Sequence, residues 1–333
     1  MTSYTLPLRD ITKDDVQRCG GKGANLGELT QIGARVPPAF CVVADALPYL
    51  LHANGLDEAV AEAIGRLDFG DLNALESATA AIRELIASAR IPEDLDAEIR
   101  DRYRALVNPL NRYVAVRSSV AVKDSLISSF PGMMDTYHYV LGEDDVLTRI
   151  RECWASLWTA RAAFARHRQD IAQERGLIAP VIQLMVNADV AGVLFTAHPI
   201  TGATTEIVIE SNWGLGESVV SGRSMNDFFV LDKESLGITE RRIARKNVMV
   251  TMDLGRGSGR LEQPVPPARA SEPTLSEAQL TELARTSIGI ENHFGFNIDM
   301  EWAFQDGVLY ILQARRVRHA AGTSERPETT KEN

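Results

Sequence analysis

The stretch that most constrains what this chain can fold into lies near its end, Asn297 to Arg315, reading NIDMEWAFQDGVLYILQAR. Ile298, Met300, Trp302 and Phe304 alternate with Asp299, Glu301 and Ala303, the period-two pattern of a strand with one apolar and one polar face. Gln305-Asp306-Gly307 interrupts the pattern and a second apolar run, Val308 to Leu312, follows as a hairpin partner. Two registers are open. A two-residue Asp306-Gly307 turn puts Gln313 on the face of Met300, whereas a three-residue loop with left-handed Gly307 gathers Asp299, Glu301, Gln313 and Arg315 on one side. The second is preferred, and it leaves Ile298, Met300, Trp302, Phe304, Val308, Tyr310 and Leu312 on the other side. Two carboxylates, a carboxamide and a guanidinium on one face make a cradle for a magnesium-bound polyphosphate. The solvated outer face of a surface hairpin has the same pattern.

A chain of 333 residues, 45% hydrophobic and 24% charged, has enough material for one large or two medium globular domains. No window approaches 18 uncharged apolar residues and the start, MTSYTLPLRD, lacks a basic-then-apolar signal pattern, so a cytoplasmic protein without membrane attachment is expected. Cys19, Cys41 and Cys153 have no paired metal spacing and read as packed, reduced thiols. The net charge of −10 argues against a nucleic-acid surface, so an anionic ligand needs a local concentration of cations.

Such concentrations exist. Cys19-Gly20-Gly21-Lys22-Gly23 runs into the apolar spacing of Leu26 and Leu29, a glycine loop feeding a helix, where backbone N–H groups and an ammonium can meet a phosphate; a plain structural turn has the same composition. Tyr113-Val114-Ala115-Val116-Arg117 predicts a buried strand ending in an arginine and two hydroxyls, followed by the irregular Ser128–Tyr137 stretch. Between these, residues 46–107 have helical spacing and read as an insertion without catalytic content. A single helix is predicted from Asp144 to about Arg175, its stripe running through Val146, Ile150, Cys153, Trp154, Leu157, Trp158, Arg161 and Ala165. Pro180–Val186 is an apolar strand carrying one amide, Gln183, which either meets a purine edge or marks an edge strand. Further strands of a mainly antiparallel sheet are expected to Val250, then a Gly-, Pro- and Arg-rich loop or lid over residues 255–273, then a helix through Leu280 and Ile288.

In order and wording, GGKGANLGEL, VPPAF, AVRSS, PGMMDTY, QLMV, AGVLFTAHPITG, IVIESNWGLGESVVSG and DMEWAF…LYILQARR resemble one family. It is the ATP-binding domain shared by phosphoenolpyruvate synthase, pyruvate phosphate dikinase, rifampicin phosphotransferase and phenylphosphate synthase. The resemblance runs from residue 20 to residue 316. It implies an α+β ATP-grasp fold, with residues 1–179 as the N-terminal lobe and 180–318 as the C-terminal lobe; the polar composition of residues 319–333 separately predicts a disordered tail.

The resemblance also implies roles. Lys22 and Arg117 match residues that hold the triphosphate, Arg117 also steadying charge on the transferred group, and Arg315 matches a second phosphate arginine. Gly132, Thr136 and Tyr137 fall in the loop that closes over the phosphates, and Gln183 falls beside adenine. Glu301 and Gln313 match positions at magnesium and nucleotide, with Asp299 a further acid. ATP and Mg2+ are the implied cofactors. The family's swivelling phosphohistidine domain and acceptor domain have no counterpart here, and His138, His198 and His293 read as structural. The implied activity is therefore that of a dikinase-type subunit that phosphorylates a histidine on a partner, for transfer to a phenol-like, pyruvate or antibiotic acceptor. A silent nucleotide sensor and the excised ATP domain of a longer synthase are the alternatives. Val120-Ala121-Val122-Lys123 departs from the small residues and acidic pair usual after the arginine strand, which leaves the subfamily open.

Overall fold

A computed structural model describes residues 3–123, 136–222 and 224–317. Gly132 and the tail from residue 318 lie outside the described residues. By contacts the chain divides into two compact units, Met1–Asn187 with Met252–Leu261, and Ala188–Thr251 with Glu262–Asn333.

The first unit runs β1 (Thr5–Pro7), α1 (Val16–Gln31), β2 (Ala39–Val42), α2 (Ala46–Ala53), α3 (Asp57–Gly65), α4 (Leu72–Ser88), α5 (Glu93–Leu106), β3 (Tyr113–Arg117), β4 (Val120–Val122), β5 (Thr136–Leu141), α6 (Glu143–Ser156), α7 (Ala160–His167), β6 (Gly176–Ile178) and β7 (Val181–Leu184). Its sheet has the order β1-β2-β7-β3-β5, every pair antiparallel. Strand alternation gives this sheet two characters. Phe40, Val42, Val114, Val116, Val140 and Ile182 join the core built with α2 to α6, and Tyr137 packs against it. The opposite face carries Thr136 across from Arg117, and Gln183 across from Ala115. The helical insertion expected over residues 46–107 is α2 to α5, and it contributes core through Leu50, Ile82, Ile86, Leu95 and Ile99.

The single helix expected to Arg175 is instead two. The chain breaks at residues 157–159, where Thr159 takes extended backbone angles and its hydroxyl accepts from Ala162 N at 3.2 Å, capping α7. Arg161 is exposed and leaves the stripe. The buried guanidinium is that of Arg166, which donates to Leu157 O at 2.8 Å and Gln173 Oε1 at 3.0 Å and lies over the Trp158 ring. Burial pulls its pKa down to about 10.

The second unit runs β8 (Val190–Phe195), β9 (Glu206–Trp213), α8 (Glu217–Val220), β10 (Asp227–Asp232), β11 (Ile238–Arg242), β12 (Val248–Met252), β13 (Arg260–Pro264), α9 (Glu277–Phe294), β14 (Ile298–Gln305) and β15 (Val308–Arg316). A sheet of order β11-β10-β9-β8-β14-β15 forms it, again antiparallel throughout. Ile207, Ile209, Leu194, Phe229, Met300, Trp302 and Phe304 are buried, and α9 lies against β14. The expected loop over residues 255–273 is in part a strand, β13, which forms a ribbon with β12; the turn of that ribbon belongs to the first unit.

Candidate functional site

The glycines around Lys22 do not form an open loop. They lie inside α1, which is broken at Gly20, where φ is 67° and ψ 172°. A Cβ there would stand 2.6 Å from the Ser119 carbonyl carbon, so only glycine allows this approach. The Ser119 hydroxyl locks the contact by donating to Cys19 O at 2.7 Å and accepting from Gly23 N at 2.9 Å, both buried. The Lys22 turn is thereby fastened to the end of β3, two residues beyond Arg117.

Arg117 is 8% exposed and donates to Gln183 Oε1 at 2.8 Å. Gln183, 3% exposed, in turn donates to Pro37 O at 3.3 Å. The amide expected beside a purine thus orients the arginine. On the other side of Arg117, Thr136 is its cross-strand neighbour, and Arg149 stacks its guanidinium 5.1 Å from the centre of the Tyr137 ring. The structure therefore brings Arg117, Gln183, Thr136 and Tyr137 together at one end of the sheet.

His138 lies on the same strand as Thr136 and Tyr137. Burial holds its imidazole far below the ordinary range, to about 3, and the positive charges of Arg117, Arg260 and Lys22 push the same way. Sequence reasoning set His138 aside as structural and passed over Arg260 in a loop. The available signal was alternation, since His138 lies two residues from Thr136 on one strand.

In the second unit the hairpin sets its polar residues in direct register: Asp299 opposite Arg315 and Glu301 opposite Gln313. The route differs from the expected one. The turn is Asp306-Gly307, with φ of 51° and 74°, the two left-handed residues of a type I′ turn, so the three-residue loop is incorrect. The polar residues still share a face because the pairing shifts between Glu301 and Trp302, which faces Ile311, leaving Leu312 as the extra residue of a bulge. Leu309 and Ile311 accordingly join the apolar face, only 5% and 1% exposed, while Val308, Tyr310 and Leu312 are half-buried. Arg315 grips Asp299 Oδ2 through Nη2 at 2.6 Å and Nε at 2.8 Å. Burial raises the Asp299 carboxyl above its ordinary range against the pull of Arg315, and the neighbouring Glu301 charge adds to the rise.

The described residues contain no cluster of three or more His, Cys, Asp or Glu arranged to hold a metal ion by themselves. Nor does any described helix have the length and apolarity to cross a membrane.

The antiparallel sheets thus carry the Arg117–Gln183 pair in the first unit and the facing acid and amide, Glu301 and Gln313, in the second. Residues 16–333 match the family described as the pyruvate phosphate dikinase AMP/ATP-binding domain, and the chain belongs to that family. It is 40% identical over 331 residues to a probable phosphoenolpyruvate synthase of Methanothermobacter thermautotrophicus, covering 98% of this chain and 48% of that protein. It is 37% identical over 351 residues to the phosphoenolpyruvate synthase of Pyrococcus furiosus, covering 93% and 43%. Against the prodigiosin synthesizing transferase PigC of Serratia marcescens the identity is 42% over 300 residues, covering 90% and 31%. The chain spans about half the length of the curated relatives it matches, or less.

Proposed function

We propose that this chain is the ATP-grasp part of a dikinase-type phosphotransferase. It binds Mg-ATP and phosphorylates a histidine on a swivelling domain or partner subunit, releasing AMP and phosphate; a small acceptor receives the group in the end. The observation that carries the reading is the buried Arg117–Gln183 pair, seated beside the fastened Lys22 turn in a chain of an AMP/ATP-binding family. In this reading Lys22, Arg117 and Arg315 hold and neutralise the phosphates, Thr136 and Tyr137 lie against them, and Gln183 keeps Arg117 aimed. The oxygens of Glu301 and Gln313, opposite each other on the hairpin, suit magnesium, which takes one or two protein oxygens beside phosphate and water. The ion would supply charge neutralisation between phosphate oxygens.

The test is incubation with ATP and the histidine-bearing part of a phosphoenolpyruvate synthase relative. Acid-labile phosphohistidine and AMP are expected; ADP as the sole nucleotide product would overturn the dikinase assignment. Glu301→Gln should abolish transfer with the fold intact, and a wild-type rate in that variant refutes the role given to Glu301.

A further inference from the structure

At the outer edge of the first unit's sheet, β5 contains an irregularity that α1, β3 and the ribbon turn all address. Val114 pairs with Val140 and Val116 with Tyr137, so His138 and Tyr139 together oppose the single residue Ala115. Tyr139 sits at φ 53°, a left-handed conformation that a bulky side chain adopts only when its surroundings hold it there. They do so here. Tyr139 is 2% exposed, its hydroxyl donates to Asn187 Oδ1 at 3.0 Å, and its carbonyl accepts from Gly259 N at 3.0 Å. Tyr113 stands edge-on to the Tyr139 ring and donates from its hydroxyl to Gly257 O at 3.1 Å. The bulge and the turn over residues 257–260 are thus clamped together.

The clamp sets His138 against a cavity of about 420 Å³, lined by Thr136, Arg149, Arg256, Ser258 and Arg260. Asp145 is the cavity's carboxylate, and it is engaged by Arg149 at 3.1 Å. Arg256 reaches Asp253 at 3.8 Å. The ring nitrogen Nδ1 of His138 is buried and has no hydrogen-bond partner among the described residues, and the described charges that act on the imidazole are Arg117, Arg260 and Lys22, all positive. A neutral imidazole with an unsatisfied polar edge, ringed by cations, is satisfied in the protein's own terms by an anionic oxygen.

We propose that this cavity is a polyphosphate subsite in which a ring N–H of His138 donates to a phosphate oxygen shared with Arg260. His138 is thereby a specificity residue for the phosphate chain of the nucleotide, a role that rests on the ATP-binding reading above and extends it to a residue outside the matched motifs. The imidazole stays neutral beside the cations, so it contributes a donor without adding a fourth charge.

The experiment is calorimetric titration of the full chain with inorganic tripolyphosphate, ATP and AMP, in wild type, His138→Leu and His138→Asn. A lost hydrogen bond to a charged oxygen predicts about tenfold weaker tripolyphosphate and ATP binding in His138→Leu, unchanged AMP binding, and recovery of most of the loss in His138→Asn, which restores an N–H. The second measurement needs no variant: the ring nitrogen resonances of His138 should shift when tripolyphosphate is added to wild type. Unchanged tripolyphosphate and ATP affinity in a folded His138→Leu, or a His138 signal indifferent to tripolyphosphate, overturns the subsite. ATP binding that ignores His138 overturns the subsite and leaves the nucleotide reading standing. Tripolyphosphate binding that depends on His138 in a chain that ignores ATP does the reverse.

Discussion

Single side chains carry unequal consequences here, and two buried groups show why. Asp227 and Lys246 are both fully buried and meet at 2.6 Å. The carboxylate also accepts from Ala244 N at 3.0 Å, Thr274 N at 2.7 Å and Thr274 Oγ1 at 2.9 Å, and the ammonium donates to Ala244 O at 3.0 Å. Two loop segments, residues 244–246 and Thr274, are thus pinned to β10 by one charge pair. Lys246→Met leaves a desolvated carboxylate behind, and urea unfolding should register a loss of about 3–5 kcal/mol. A loss under about 1 kcal/mol would mean that the pinning is carried by the backbone donors alone. His138 makes a pH prediction. Its folded pKa, about 3, lies below the unfolded value, so the unfolded chain binds the extra proton first as pH falls. Its contribution is fully present above the unfolded value near ~6.5 and is lost as pH drops toward 3. The groups facing it are Lys22 from α1, Arg117 from β3 and Arg260 from the ribbon. Comparing wild type with His138→Leu, the stability difference should be flat above neutrality and move by on the order of 2 kcal/mol in the variant's favour by pH 5. A difference independent of pH would show that the imidazole titrates normally.

Elements were legible where periodicity and burial agree, and misread where a local irregularity intervenes. Alternation alone located β14 and β15 and placed Asp299, Glu301, Gln313 and Arg315 together. It could not reveal the bulge, because an extra residue at Leu312 and a longer turn at Gly307 produce the same polar face. The same limit hid the bend at Thr159, since a threonine cap between apolar residues does not interrupt helical spacing. Of the candidate site, Lys22 and Arg117 could be picked out by residue type, whereas the anchoring of Arg117 by Gln183 arises from strands 66 residues apart and has no sequence signal. The hairpin permits a specific test. Because Ile311 already faces Trp302, deleting Leu312 brings Gln313 into the next position, still opposite Glu301. The deletion should therefore keep the Glu301–Gln313 and Asp299–Arg315 pairs, visible as cross-strand nuclear Overhauser effects, and keep nucleotide affinity. Loss of those contacts with the fold retained would show that the bulge itself sets the register.

At the scale of the molecule, the two sets of candidate ligands belong to separate compact units, Lys22, Arg117 and Thr136 to one and Glu301, Gln313 and Arg315 to the other. The proposed function asks one nucleotide to use both, and that requirement is thermodynamic as well as geometric. If one ATP binds both sets, removing Arg117 weakens its hold on the phosphates and leaves less for Arg315 to contribute. Losses from Arg117→Ala and Arg315→Ala then fall short of adding in the double variant. Independent sites add to within about 0.5 kcal/mol, and coupled ones depart by about 0.5–3 kcal/mol. The cycle is run on ATP affinity, with thermal stability followed in parallel. Arg315 also holds Asp299, so Arg315→Lys, which keeps a charge near that carboxylate, separates loss of the ion pair from loss of the phosphate contact. A coupling of at least 1 kcal/mol in ATP binding, absent from the stability data, is expected. Full affinity in one of the two single variants, in a chain that still binds ATP, would confine the nucleotide to the unit of the other arginine, and additive losses would mean that the two arginines act on it independently.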